Sequence, residues 1–231
     1  MPRLRLLELA GYNLAKLDGI VVNRFVHPYQ SEALHALGIS DSQLIEATET
    51  TNIEAESLLV PTFEYSDFRM RWTYRFLRSR LGSIPDRVRY GSRIHISRSS
   101  ASIRRIRNGG ALEELLSRWE FQTVVLDRHS LSEQIEIVSH ADTVIGAHGA
   151  GLSLTLFCNP GTTVIEIAAE YWQGAHYFDI AAAVGHHYVF VYGGKKTHPS
   201  YRRRLIGMTR DYHVDLGHLN AILSAFFRDT P

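Results

Sequence analysis

Two spacings of apolar residues alternate along the chain and divide it into regions. Near the start, leucines fall at 4, 7, 14 and 17, a helical spacing, so Leu4–Leu17 is predicted to be helical. Gly19 to Phe25 is a β-branched run with strand character, and Ser31 to Leu37 reads as a short helix that Gly38 stops. Glu56 to Val60 reads as a second strand closed by Pro61, and Tyr65 to Leu81 as a longer helix rich in aromatic residues and arginines. Gly82-Ser83-Ile84-Pro85-Asp86 is turn chemistry. A domain boundary is placed there, close to Arg87, giving an α/β region over 1–86 and a second over 87–231.

Beyond the turn, short apolar strands and helices alternate regularly. Strands are predicted at Arg93–Ser97, Phe121–Leu126, Thr143–Ala147, Thr163–Ala168 and His187–Tyr192. Between and after them come helices at Gly110–Arg118, Leu131–His140, Leu152–Phe157, Ala175–Val184 and Leu216–Phe227, with a polar loop over Gly193–Arg204. Repeated β-α units with continuous apolar strands imply a parallel, Rossmann-like sheet covered by helices on both faces. Such sheets bind ligands at the carboxyl ends of their strands, and that rule directs the search for chemistry.

Composition narrows the function classes. The 231 residues are 45% hydrophobic and 21% charged, a globular profile with enough chain for a sizeable core. The formal net charge is +1, so no global basic field would draw nucleic acid, and anion binding must rest on locally placed arginines. The single cysteine, Cys158, excludes an internal disulfide framework and a cysteine zinc cluster, and fits a reducing compartment. The amino terminus lacks a secretory layout, and no apolar run approaches the roughly 20 residues of a membrane span. A cytoplasmic protein without a membrane span is expected.

Three features fall at predicted strand ends. Ser97-Arg98 closes the first strand of the second region, and Arg104, Arg105 and Arg107 follow within ten positions of Arg98. Guanidinium forks match phosphate oxygens two at a time, so Arg98 and Arg105 are candidate phosphate ligands, while Arg104 and Arg107 read as surface arginines. Next, Gly146-Ala147-His148-Gly149-Ala150-Gly151-Leu152 joins a strand to a helix. Its small residues admit a close ligand, and the amides of Gly149, Ala150, Gly151 and Leu152 at a helix start suit an anion. Tight strand–helix packing also selects glycine, so the turn alone is weak evidence. His148 is open to three readings: phosphate ligand, general acid or base, or buried structural histidine. The third feature is Glu166, a carboxylate inside the apolar strand Val164-Ile165-Glu166-Ile167, costly to bury without partners. It would either accept both hydroxyls of a ribose or pair internally with an arginine.

No Walker sequence, nucleophile elbow or His-Glu-x-x-His motif occurs, the last despite twelve histidines. No Asp-x-Asp pair of the kind used by metal-dependent sugar transferases occurs either, so arginines and a helix terminus would neutralise phosphate charge. Neither a metal nor another cofactor is expected.

The stretch from Ile94 to Val191 resembles family 61 glycosyltransferases, known also from capsular polysaccharide loci. The resemblance is carried by Ile96-Ser97-Arg98 with Arg104-Arg105 and Asn108, then Leu131-Ser132-Glu133-Gln134 and Ala141-Asp142. It peaks at Ile145 to Leu152 and continues through Leu156-Phe157, Pro160-Gly161 and Val164-Ile165-Glu166. Before the turn it rests on Pro2-Arg3-Leu4 and Leu58-Leu59-Val60-Pro61. The resemblance implies a GT-B-like fold, metal-independent transfer from a nucleotide sugar to a glycan or polysaccharide acceptor, and inversion at the anomeric carbon. Two departures stand out: the family's segment ahead of Pro-Arg-Leu is missing, and its Asn-Glu pair reads Asn108-Gly109. A truncated member with an incomplete acceptor-side region over 1–86 is therefore expected.

In that reading Arg98 and Arg105 hold the diphosphate, with Ser97, His148, the glycine turn and Glu166 completing the donor site in 87–231. The base that takes the acceptor proton is unassigned, with Glu64 and Asp67 as weak candidates. Two alternatives remain: an inactive nucleotide-sugar-binding pseudo-transferase, and a nucleotide-sugar epimerase on a similar sheet.

Overall fold

The computed structural model describes residues 2–62, 71–82, 90–169, 174–193 and 210–227. The chain divides into two compact units, Met1–Ile84 with Ser130–Ser132, and Pro85–His129 with Glu133–Pro231.

The first unit is small. Helix α1 (Pro2–Leu9) leads through a 3-10 turn at Leu14–Lys16 to strand β1 (Ile20–Asn23). Helix α2 (Pro28–Ala36) then crosses to strand β2 (Leu44–Ala47), which pairs with β1 in parallel from Ile20↔Leu44 to Asn23↔Ala47. The helix predicted across Leu4–Leu17 is interrupted. Gly11 takes a left-handed φ of +88°, and the Asn13 side chain accepts the Ala15 N–H at 3.0 Å to start a new turn. Leucine spacing cannot register such a break.

The strand expected at Glu56–Val60 is absent. Leu58 and Val60 are 71% and 67% exposed, with no sheet face to cover them. The partner of β1 is Leu44–Ala47 instead, a segment whose Leu-Ile-Glu-Ala composition does not favour strand and which pairing alone makes extended. Helix α3 (Arg71–Leu81) matches the described part of the predicted long helix, and Arg80 bridges from it to Glu8 of α1 at 2.5 Å. Residues 63–70, which hold its expected start along with Glu64 and Asp67, lie outside the described residues, as do the turn residues 83–86 and Arg87.

The second unit is a five-stranded parallel sheet of β3 (Arg93–Ile96), β4 (Gln122–Val124), β5 (Thr143–Ala147), β6 (Thr163–Ala169) and β7 (His187–Gly193). Its order is β4-β3-β5-β6-β7. All five strands expected from the sequence are present. The helices are α4 (Gly109–Arg118), α5 (Leu131–Ser139), α6 (His176–Val184) and α7 (Leu216–Phe227). Most of the polar loop expected over Gly193–Arg204 lies outside the described residues. The apolar run after β5 is a 3-10 helix, Ala150–Phe157, rather than an α-helix. The buried Thr155 hydroxyl donates to the Leu152 carbonyl at 2.7 Å within that tighter winding.

One face of the sheet buries Ile145, Ile165, Ile167 and Val191 against Leu112, Leu115 and Leu116 of α4 and Leu219 and Leu223 of α7. The i, i+3, i+4 spacing on α4 and i, i+4 spacing on α7 turn one stripe of each helix inward. Each fully buried leucine stabilises the fold by roughly 1.5–3 kcal/mol. Because side chains alternate along a strand, Glu166, between Ile165 and Ile167, points to the opposite face.

Strand order fixes where a ligand can approach. The chain runs from β3 outward to β4, then crosses back to β5 on the other side of β3, so the order reverses between β3 and β5. The pairing Ile96↔Gly146 aligns the carboxyl ends of these two strands. The loops that leave them therefore flank one crevice, the ligand position of open parallel sheets. Among the described residues, no helix is long and apolar enough to cross a membrane.

Candidate functional site at the crevice between β3 and β5

A cavity of about 280 Å³ opens at these strand ends, lined among others by His95, Ser97, Arg98, Gly109, Gly110 and Glu113. A larger groove of about 470 Å³ lies between α4 and α7, lined by Leu115, Trp119 and Leu216 together with Arg118, and holds none of the residues singled out by sequence. The chemistry is concentrated at the first.

Arg98 follows β3 and is half-buried. Its guanidinium lies against Gly149, and Nη2 donates to the Ile103 carbonyl at 3.3 Å. Its Nε is buried and finds no hydrogen-bond partner among the described residues. Burial, and then the positive charge of Arg104, push the Arg98 pKa below its ordinary value. A cation held partly desolvated beside another cation favours an anion in the same space.

The arginines after Arg98 have different surroundings, and Arg105 lines the cavity. Arg105 is exposed and engaged with Asp211: its guanidinium reaches Oδ2 at 3.1 Å, and its backbone N–H donates to Oδ1 at 2.9 Å. That pairing holds the Asp211 carboxyl below its ordinary pKa, first through the Arg105 backbone hydrogen bond. Arg104 is half-buried, with a left-handed φ of +58° that non-glycine residues seldom adopt. Its charge acts on Arg98, His148, Tyr177 and Tyr212, so Arg104 lies near these groups, while Arg105 is the one on the cavity wall. Asn108 acts as a clasp: its side chain donates to the Val214 carbonyl at 2.9 Å and accepts the Val214 N–H at 3.0 Å. Ser97 is buried and donates to Glu113 at 3.1 Å, so its hydroxyl serves the start of α4.

The glycines after β5 have separate roles. A Cβ at Gly146 or Gly151 would lie 3.3 Å or 3.0 Å from Ile96, so those two serve packing. A Cβ at Gly149 would lie 2.7 Å from Arg98 Cζ, so Gly149 makes room for the guanidinium. Of the amides expected to face an anion, that of Leu152 is spent on the Gly149 carbonyl at 2.9 Å. The buried Tyr177 hydroxyl donates to the same carbonyl at 2.6 Å. Burial pushes the Tyr177 phenol up to about 12, which keeps it a donor.

Glu166 is fully buried, and both its oxygens are occupied. Oε1 accepts from His148 Nδ1, and Oε2 accepts from the Tyr188 hydroxyl, both through short hydrogen bonds. The internal partners are an imidazole and a phenol, not the arginine of the sequence alternative. His148 is itself buried, its ring 4.9 Å from that of Tyr177. Burial lowers the His148 pKa, against the raising effect of Glu166. The Tyr188 phenol is pushed up, first by burial and then by its bond to Glu166.

Sequence reasoning missed Tyr177, Tyr188 and Asp211, and read Arg104 as a surface arginine. Only Tyr188 carried a signal: the β6–β7 register sets Val164↔Tyr188 and Glu166↔Phe190, so Tyr188 shares a sheet face with the buried carboxylate. A phenol two positions from that register partner is a natural donor. Among the described residues, no group of three or more His, Cys, Asp or Glu side chains is placed to hold a metal.

An α/β unit with a Rossmann-like parallel sheet and a cationic, glycine-floored crevice at its strand-order reversal defines the class. The family model of Glycosyltransferase 61 matches residues 1–165, and the chain belongs to that family. A beta-1,2-xylosyltransferase from Arabidopsis thaliana is 36% identical over 64 residues, which is 28% of this chain. The match spans 12% of that relative's own length.

Proposed function

We propose that the protein transfers a sugar from a nucleotide-sugar donor to a glycan acceptor, with the donor diphosphate bound in the crevice between β3 and β5. The observation that carries this reading is the Arg98 guanidinium, partly desolvated, lying against Gly149 at the strand-order reversal. Arg98 and Arg104 supply positive charge where the diphosphate leaving group develops its own as the glycosidic bond breaks. We assign the phosphate role to Arg104 in place of Arg105 because Arg105, although it lines the cavity, is paired with Asp211. Phosphate charge is then neutralised by arginine without a metal ion, and transfer inverts the anomeric carbon.

The second unit serves as the donor half of a GT-B-like enzyme, and the first belongs to the acceptor side. Because a xylosyltransferase is among the relatives, a nucleotide-linked xylose is the first donor to try. The test is calorimetric titration of a nucleoside diphosphate panel without divalent metal, against wild type and Arg98→Ala. Saturable binding of one nucleotide, lost in the variant, is expected. No binding to wild type overturns the reading, and binding with no transfer to any glycan leaves a pseudo-transferase.

A further inference from the structure

The wall of the cavity at the end of β3 is divided by charge. Arg98 and Arg105 stand on it as cations, and among the described residues that line it Glu113 alone carries a carboxylate. Glu113 lies on α4 one turn beyond Gly109, and its half-buried side chain accepts the Ser97 hydroxyl through Oε1 at 3.1 Å. Its Oε2 accepts from none of the described residues. His95 lies at the same end. Its register partner Ile145 belongs to the sheet face packed on α4, so His95 and Ser97, two positions on, point toward α4 as well. The His95 Nδ1 is held by the Thr123 hydroxyl, and burial keeps the ring neutral near pH 7, so it places no positive charge beside Glu113. Glu166, whose two oxygens are taken by His148 and Tyr188, lies outside this wall.

A ligand that fills this cavity needs an anion at the arginine end and uncharged hydrogen-bond donors at the Glu113 end, where a phosphate would meet a like charge. A ribose presents two neighbouring hydroxyls. An ionised carboxylate has only acceptors to offer and takes such a pair through charge-assisted hydrogen bonds. We infer that Glu113 binds the ribose hydroxyls of the donor nucleotide, so that the cavity selects ribonucleotides over 2′-deoxyribonucleotides. This inference rests on the glycosyl-transfer reading above, which puts the diphosphate at Arg98. Arg98 joins the two ends, since its guanidinium lies against Gly149 and its side chain lines the cavity with Glu113. Ser97 is the positioning residue: by donating to Oε1 it fixes the turn of the carboxylate and leaves Oε2 for the ligand. A 2′-deoxy sugar would leave that oxygen unmet in a half-buried place, and a site built to bond a hydroxyl rejects the analogue that lacks it.

The experiment is isothermal titration of the whole chain, without divalent metal. The ligands are adenosine, guanosine, cytidine and uridine diphosphates, the 2′-deoxy form of whichever binds, and pyrophosphate. Wild type is expected to bind the 2′-deoxy form about tenfold more weakly, the scale of one charge-assisted hydrogen bond. Glu113→Gln keeps an oxygen to accept the Ser97 hydroxyl but loses the charge and gains an amide that only donates. It should weaken the ribonucleotide about tenfold or more and bring the two sugars within about threefold of each other. Pyrophosphate should bind the variant at least as well as wild type, because a like charge is gone. A Glu113 that merely held Ser97 and the start of the Arg98 loop would instead lower pyrophosphate and nucleotide affinity together. Should Glu113→Gln fail to fold, Glu113→Asp keeps the charge but withdraws it by one methylene, and is expected to lose the ribose preference while pyrophosphate affinity holds. Equal affinity of wild type for the two sugars, nucleotide binding no tighter than that of pyrophosphate, or parallel loss of both ligands in Glu113→Gln overturns the ribose assignment alone. Absence of nucleotide binding to wild type overturns the donor site and the ribose assignment together.

Discussion

Arg105 holds Asp211 at two points, by its backbone N–H to Oδ1 at 2.9 Å and by its Nε to Oδ2 at 3.2 Å. The residue before it, Arg104, turns through a left-handed φ of +58° and brings its charge near Arg98 and His148. One arginine thus anchors the loop at the cavity wall and the other adds its charge beside Arg98. Arg104→Asn is expected to weaken nucleoside diphosphate binding about tenfold or more, the scale of one lost charge-assisted hydrogen bond. Asparagine tolerates the left-handed conformation, so the backbone should hold. Arg105→Ala should change affinity by less than about threefold, since an exposed pair contributes little. Isothermal titration of both variants decides, and the reverse order of effects would return the phosphate role to Arg105.

Gly149 offers a test that separates binding from folding. Its φ of 172° is ordinary extended backbone, so alanine there meets no backbone strain. The added Cβ would instead lie 2.7 Å from Arg98 Cζ and 3.2 Å from Cδ, at the mobile end of a long side chain. Gly149→Ala should therefore displace the guanidinium at little cost in stability, less than about 1 kcal/mol. Nucleotide affinity should fall at least about tenfold. A thermal melt and a nucleotide titration of the same sample check both halves; unchanged affinity would remove Arg98 from the site.

His95 makes stability depend on pH. It lies 3% exposed on β3, with Nδ1 3.0 Å from the Thr123 hydroxyl, and burial pushes its pKa from 6.5 down to about 4. The unfolded chain therefore binds a proton near pH 6.5 that the folded chain refuses until about pH 4. Between those values the unfolded state holds more protons, so stability is full above pH 6.5 and falls as pH drops. At about 1.4 kcal/mol per unit the loss is on the order of 3 kcal/mol. Urea unfolding at pH 7 and pH 4.5 should show it, and His95→Gln should remove that part of the slope.

The regular second unit was legible because each of its strands is a short apolar run bounded by polar or turn residues, and burial on both faces keeps such runs continuous. The first unit was not. Leu44–Ala47 becomes a strand only by pairing with β1, and Leu58 and Val60 look like strand residues yet stay exposed. At the site, Arg98 and the glycine turn were readable from their place at strand ends. The division between Arg104 and Arg105 was not, because it depends on Asp211, 106 positions away in the chain. Glu166 was visible as an anomaly, but its partners come from the turn after β5 and from β7, so no local spacing could name them.

Tyr212 links that arginine loop to the sheet. Its carbonyl accepts the Arg107 N–H at 2.8 Å, its N–H donates to the Arg105 carbonyl at 3.1 Å, and its hydroxyl donates to the Ile167 carbonyl at 3.0 Å. The Ile167 carbonyl also accepts the His148 N–H at 2.7 Å, so the arginine loop and the turn after β5 are pinned to one atom of β6. The ring of Tyr212 reaches it only because Gly193, at the end of β7, has no side chain: a Cβ there would lie 2.5 Å from Tyr212 Cε2. Unlike the guanidinium beside Gly149, this half-buried ring is packed against the core and tied by its hydroxyl to Ile167, so it has little room to swing away. Gly193→Ala should therefore cost about 1–3 kcal/mol by overpacking. It should also weaken nucleotide binding, because moving Tyr212 loosens the loop that carries Arg98 and Arg104. Tyr212→Phe keeps the ring and removes only the hydroxyl, so it should lose less stability, about 1 kcal/mol, and shift affinity in the same direction. Melting curves with and without nucleotide would separate the two effects. Full nucleotide affinity in a destabilised Gly193→Ala would show that the loop holds its shape without Tyr212.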